Sequence, residues 1–518
     1  MAVRSDLAIE EEEEEEEEYG GPTHHPAAPL DESFDVSTTV DPSYIISLIR
    51  KLLPSGAGSK SSCDGIASDA PNQGSPTNTK EGNAVSTSRD KHFESPKKSS
   101  ENMDVDNSGQ FSYQQGELKD SCNGLEQSGA SVGEEVWEEH GCILWDLASS
   151  KRHAELMVEN LILEVLLANL MVCKSLRVTE ICIGICGNLA CHEVPMKRIV
   201  STNGLIEIIV DILFLDDPQC LCETCRLLTV GLQSRESITW SKALQSEHIL
   251  CQILWIVENT LNPQLMEKSI GLILAILESQ QEVVDVLLPP MMKLGLASLL
   301  ISLLASEMNK VTSERIPERY SILELILRAI EALSVIDDHS QEICSSKELF
   351  ELVSGLVKFP DKFEVANCCV TAAVLIANIL SDVADRASEI SQDLSFLEGL
   401  LDIFPFASDD LEARNALWNI IARVLVRIRE TEMSPSSLDR HVSVLVTKVD
   451  LIEDELLNQP LDDSRHGNER PDARITSLRR MISILNQWIA AKDNLNAEVT
   501  VNDSDVKKLL NCCNKYSK

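Results

Sequence analysis

Aromatic residues make up only 4% of this 518-residue chain, which weighs against a β-sandwich or barrel, whose short strands draw on aromatic and β-branched side chains. Positive charge is also short: 45 Lys and Arg face 83 Asp and Glu, a formal net charge of −38. Phosphate backbones and anionic lipid surfaces need clustered Lys and Arg to release counterions or hold headgroups, so direct nucleic-acid and membrane binding are not expected. The most lipid-like stretch, residues 283–305, is broken by Asp285, Pro289, Pro290 and Lys293. It falls short of the roughly 18 uncharged apolar residues that a spanning helix needs. The N-terminus lacks a basic region leading into an apolar one and runs instead into an unbroken Glu10–Glu18 tract, so no export is expected.

Catalytic groupings are missing as well. Glu139–His140 and His192–Glu193 are adjacent acid–base pairs, but no nucleophile, Gly-rich phosphate loop or HExxH motif accompanies either. Neighbours on a helix also point about 100° apart and cannot face one substrate atom. The chain therefore reads as a non-enzyme, and no cofactor is expected. The sixteen cysteines lie mostly in apolar helical runs of a long chain, which does not suit a disulfide framework and points to a reducing compartment. Cys182 and Cys186 stand i, i+4 on one apolar helix, with Cys191–His192 in the turn after it and Cys220, Cys222 and Cys225 on a later helix. Packing as small hydrophobes is the expected role, since a zinc site needs four tetrahedral ligands from short knuckles. A metal- or redox-sensing reading rests on cysteine number alone.

Leu, Ile, Val and Ala dominate the apolar fraction, as in packed helices. Residues 1–130 are poor in them, rich in Ser, Gly, Asn, Asp, Glu and Pro, and expected to be a disordered acidic segment. One island, 41–53, begins with Asp41-Pro42 and places Ile45, Leu48, Ile49 and Leu52 at i, i+3, i+4, i+7, a short amphipathic helix. It either packs back on the folded domain or folds into a partner's groove. In the same segment Ser95-Pro96-Lys97-Lys98 has the Ser-Pro-x-Lys arrangement that proline-directed kinases prefer, and Ser75-Pro76 is a second candidate phosphorylation site without the lysine.

From Val136 onward helical periodicity takes over and repeats itself. Leu189, Leu232, Leu277, Leu333, Ile379 and Ile421 occupy equivalent places on successive helices, separated by 42 to 46 residues except for one step of 56. Armadillo and HEAT units run to about 40–47 residues. The long step contains Ser306–Arg319, which reads as a loop insertion. The stretch 202–233 runs from a glycine break at Gly204 through a helix, an acidic-Pro turn at Asp216-Asp217-Pro218 and a last helix. That is the three-helix armadillo plan. An all-α armadillo-type solenoid is expected over 131–435, followed over 436–518 by a helical extension or cap.

The wording Trp137-Glu-Glu-His-Gly-Cys-Ile-Leu-Trp145-Asp-Leu-Ala-Ser-Ser150, and again Arg177 to Asn188-Leu-Ala-Cys-His-Glu-Val-Pro-Met-Lys197, resembles the serum-amyloid-A-like, or synoviocyte-proliferation-associated, armadillo-type family. The resemblance is sharpest over 136–215. It implies a protein-binding role linked to cell proliferation, in the nucleus, the cytoplasm or both, with no catalytic activity, and it brings no site residues of its own.

Asn188 and Asn378 are the candidate peptide-binding residues, since the last helix of an armadillo unit lines the groove and an Asn there can hold an extended backbone. Import adaptors of this fold pair such Asn residues with a Trp four positions earlier, where this chain has Gly184 and Val374; Asn419 has Asn415 there, with Trp418 adjacent. The missing ladder argues against an import adaptor. Arg328, Arg414, Arg423, Arg427 and Arg429 read as a solvated face, with one alternative: Arg423 and Arg427 holding Glu10–Glu18 in an autoinhibitory contact. The leading function is a protein-interaction scaffold. An adaptor for basic cargo is the alternative, and the expected partners are other proteins, including ones with basic or extended segments.

Overall fold

A computed structural model describes residues 40–54, 128–314, 316–428, 434–458, 472–491 and 501–517. Among the described residues the regular structure is entirely helical. Seven triplets of helices follow one another: α3 (Lys151–Glu159), α4 (Ile162–Val172) and α5 (Leu176–Ala190); α6 (Glu193–Ser201), α7 (Leu205–Asp211) and α8 (Pro218–Leu232); α9 (Ser237–Leu244), α10 (Glu247–Asn259) and α11 (Pro263–Leu277); α12 (Gln281–Lys293), α13 (Leu296–Glu314) and α14 (Glu318–Ser334); α15 (Asp337–Cys344), α16 (Lys347–Val357) and α17 (Ala366–Asp382); α18 (Arg386–Ile390), α19 (Leu394–Leu401) and α20 (Leu411–Arg427); and α21 (Pro435–Thr447), α22 (Val449–Asn458) and α23 (Ala473–Ala491). Ahead of them stand α1 (Pro42–Lys51) and α2 (Ser128–Leu147), and α24 (Asp503–Tyr516) closes the order.

The punctuation is local chemistry. Ser175, Asp217, Asn262 and Asp410 each accept a hydrogen bond from a backbone N–H in the first turn of α5, α8, α11 and α20, and Pro218 and Pro263 stand at the first turn where no N–H is needed. Gly204 (φ +81°) and Gly295 (φ +94°) turn the chain in the left-handed region between the first two helices of their triplets. Leu161 does the same between α3 and α4 at φ +65°, where a side chain is strained.

The third helices α5, α8, α11, α14, α17, α20 and α23 pack directly on one another in sequence, with α2 ahead of α5, and more closely than the other helices pack on their counterparts. This layer therefore lies on the inner side of the curved stack. The anchors Leu189, Leu232, Leu277, Leu333, Ile379 and Ile421 are all buried in one continuous core. The armadillo-type solenoid expected from the sequence is the fold.

Two expectations need correction. Residues 306–314 are no loop: α13 simply continues through them, because Leu304, Glu307 and Val311 keep a buried stripe at helical spacing, and Glu307 is neutralised by Lys310 at 2.7 Å and Arg319 at 3.2 Å. Arg414 is not on a solvated face. It is buried between α20 and α22, donating through Nε to Glu455 Oε1 at 3.1 Å and through Nη2 to Glu455 Oε2, while Trp418 Nε1 also donates to Oε1 at 3.2 Å. The pair fastens the last triplet to the rest, and α23 packs on α20 as another rung of the inner layer.

α1 lies against α2 and α3 with Ile45, Leu48, Ile49 and Leu52 buried, and α24 covers α22 and α23 at the other end. Among the described residues no helix is long and apolar enough to cross a membrane by itself.

Candidate protein-binding face

The inner layer is held together by bonds that step from one rung to the next, about one repeat length apart in sequence. Asn188 Nδ2 donates to the Trp145 carbonyl on α2 at 2.9 Å, and its Oδ1 accepts from Arg226 Nη1 of α8 at 3.2 Å. Arg226 also donates to the Gly184 carbonyl at 3.1 Å and is paired with Glu223 at 2.6 Å. Asn378 Nδ2 donates to Ser334 Oγ on α14 at 3.0 Å. Each of these asparagines stands one residue before its anchor, Leu189 or Ile379, and each points its amide at the preceding rung.

Further along, Arg423 Nη1 donates to the Leu380 carbonyl at 2.7 Å, and Arg427 Nη1 reaches Ser388 Oγ at 3.2 Å. Asn419 donates to the Asn415 carbonyl on its own helix at 2.9 Å. These cations thus stitch the last turn of α17 and the start of α18 to α20. Arg429 and the Glu10–Glu18 tract lie outside the described residues, as do Ser75 and Ser95.

Glycines on α5 allow this close approach. A Cβ at Gly184 would sit 2.2 Å from the Trp145 indole, and one at Gly187 would sit 2.5 Å from the Arg226 guanidinium. The place of a ladder Trp is thus filled by an indole from the neighbouring rung.

Carboxylates make the middle of the layer acidic. Glu278 follows α11, Glu324 and Glu331 lie on α14, and Asp410 and Glu412 open α20. Arg328 pairs with Glu278 at 2.8 Å, and Asn367 donates to Glu324 at 3.3 Å. Burial pushes the Glu331 carboxyl up to about 7; Glu412, Asp410 and Glu278 add to the rise and Arg328 opposes it. Residues from three rungs therefore share one field. This cluster was missed in the sequence, where its members are far apart; the only clue is that Glu278 and Glu331 stand within two residues of the anchors Leu277 and Leu333.

The described cysteines form no metal-binding group. Burial raises the Cys182 thiol well above its ordinary value and pushes Cys186 and Cys225 up to about 12, which holds them protonated and packed. Among the described residues no group of three His, Cys, Asp or Glu side chains is placed to hold a metal ion. His192 Nε2 is 3.1 Å from the Ala148 carbonyl and serves the rung-to-rung stitching.

No protein-family profile matches the chain. Among curated proteins it is 32% identical to protein saal1 of Danio rerio over 133 residues, which is 25% of this chain and 28% of that one. It is 31% identical to protein SAAL1 of Homo sapiens over 138 residues, 26% and 29% of the two chains. The resemblance to the serum-amyloid-A-like family is thus borne out, over less than a third of the relatives' length. Among solved structures, an engineered protein matches with a TM-score of 0.46 at 16% identity, over 74% of this chain and 85% of that one. A computationally designed armadillo repeat protein for modular peptide recognition matches with a TM-score of 0.37 at 14% identity, over 47% and 94%.

Proposed function

We propose that this chain is a non-enzymatic protein-binding scaffold of the armadillo type, and that its ligand surface is the inner layer of third helices. The observation that carries the reading is the gathering of Glu278, Glu331, Asp410 and Glu412 along that layer, at α11, α14 and, two rungs on, α20, where burial first and then Glu412, Asp410 and Glu278 raise the Glu331 carboxyl to about 7. Arg328, paired with Glu278, offsets one of these four carboxylates and leaves acidic charge in excess, so an extended segment carrying Lys or Arg fits this face better than a neutral one.

The same observation favours an adaptor for basic cargo as the form the scaffolding takes. Asn378 commits one of its two amide hydrogens to Ser334 and has a second for a peptide carbonyl; Asn188 would have to exchange its bond to Trp145 for one. Residence in the nucleus, the cytoplasm or both, and a link to cell proliferation, belong to this reading through the family resemblance. Phosphate on Ser95, or on Ser75, would add about −1.5 to −2 charge; on Ser95 it would fall beside Lys97 and Lys98 and switch off any contact those lysines make.

The test is affinity capture with the full chain and with a chain carrying Glu331→Gln and Glu412→Gln. The scaffold reading expects a defined set of partners that the double variant recovers less well. Identical recovery would remove this face as the binding surface.

A further inference from the structure

α1 sits on the solenoid the way a bound peptide sits on a receptor. Residues 55–127 separate it in sequence from α2, it is ten residues long, and a free helix of that length is marginal in water. Its seat is built rather than merely greasy. Ile45, Leu48, Ile49 and Leu52 enter the core between α2 and α3. The Leu52 carbonyl, just past the last turn, then accepts two hydrogen bonds from solenoid side chains: Asn169 Nδ2 at 2.7 Å and Trp137 Nε1 at 3.2 Å. Asn169 is buried and fixed in place by a second bond to the Val165 carbonyl at 2.8 Å. Lys51 Nζ reaches His140 Nε2 at 3.2 Å. Two donors converging on one main-chain carbonyl recognise a helix terminus whatever side chain it carries, while the apolar stripe sets which helix fits.

The seat is longer than its occupant. Past the Leu52 carbonyl a cleft of about 860 Å³ continues, walled on the solenoid side by Val136, Trp137, Val172 and Val178 and on the other by Leu53 and Pro54 at the end of the α1 segment itself. Val172 and Leu53 are exposed there.

We infer that the groove between α2, α3 and the end of α4 is a docking site for an amphipathic helix, and that α1 is a cis occupant that a partner helix replaces. The partner carries Ile or Leu at i, i+3, i+4 and i+7, offers its C-terminal carbonyl to Asn169 and Trp137, and places a bulky apolar residue just beyond, in the cleft. Tethering in cis raises the local concentration of α1, so an outside helix enters only with the higher intrinsic affinity that the filled cleft supplies.

The experiment uses the full chain with a protease site inserted after residue 60 and a fluorescent peptide of residues 40–54. The intact chain should bind the peptide weakly. Cutting the tether should tighten binding on the order of 100-fold, since the competitor is no longer held in place. Unlabelled peptide should displace the probe and the Leu48→Asp peptide should not. A 40–56 peptide with Ser55→Trp should bind more tightly than its parent. Hydrogen exchange on the intact chain should find the α1 amides opening well before those of α5. If the cut fragment neither leaves nor exchanges, or the α1 amides are protected as long as those of α5, α1 is a permanent part of the core and the docking site does not exist.

Discussion

Asn188 donates to the carbonyl of Trp145 while the indole of the same Trp145 lies over Gly184, one helical turn before Asn188, so α2 and α5 grip each other through main chain and ring together. Gly184→Ala places a methyl group 2.2 Å from rigid indole carbons, and the rung must separate. We expect a loss of about 1–3 kcal/mol, read as a lower urea midpoint with an unchanged slope. Asn188→Ala, which strands the Arg226 contact as well as the Trp145 carbonyl, should cost about 1–3 kcal/mol.

Leu161 takes the left-handed turn that Gly204 and Gly295 take in other triplets. Its side chain is 57% exposed, so little packing is forfeited by removing it. Leu161→Gly should therefore be close to neutral or stabilising by about 1 kcal/mol, in contrast to the usual penalty for glycine. Thermal unfolding of the variant decides this.

The repeats were legible because burial imposes one residue type at one spacing: the anchor leucines and isoleucines, the Gly204 break and the Asp217-Pro218 cap all sit where local chemistry demands them. Ser306–Arg319 reads as a loop because polar residues surround the buried stripe at Leu304, Glu307 and Val311. Buried charge was equally opaque. Arg414 and Glu455 are separated by 41 residues, and only the fold brings them together. The last triplet is blurred in the sequence by the weak periodicity of Leu438–Leu457 and the polar gap Gln459–Asp472. Leu161 carries no sign of a positive φ, since leucine so rarely adopts one. The field around Glu331 is a property of stacking, invisible until the rungs are placed.

Removing the Glu455 carboxylate leaves the buried Arg414 guanidinium with only main-chain carbonyls, those of Ser408 and residue 455, to accept from it. Glu455→Ala should cost about 3–5 kcal/mol and loosen the last triplet first, detectable as faster amide exchange in α21 to α23. Arg414→Met with Glu455→Leu should recover part of that loss, because two apolar chains need no mutual compensation while Trp418 Nε1 and the Ser408 carbonyl lose their partners.

A carboxyl raised in the folded state binds its proton more tightly there than in the unfolded chain. Glu331 therefore favours the fold most below its unfolded pKa, near the ordinary 4.5, and that contribution is lost as pH rises through about 7. Glu331→Gln removes the dependence. The variant should gain melting temperature relative to the parent at pH 8 and lose that advantage at pH 5. An equal difference at both values would mean that Glu331 titrates normally.

Binding of a basic extended peptide to the full chain, followed by calorimetry at about 50 and 200 mM salt, tests the central claim most directly. The account predicts saturable binding that weakens with salt, releases protons to be taken up by buffer near pH 7 as Glu331 ionises, and falls severalfold in the chain carrying Glu331→Gln and Glu412→Gln. Binding that is unchanged in that variant, or no binding at the lower salt, would contradict it.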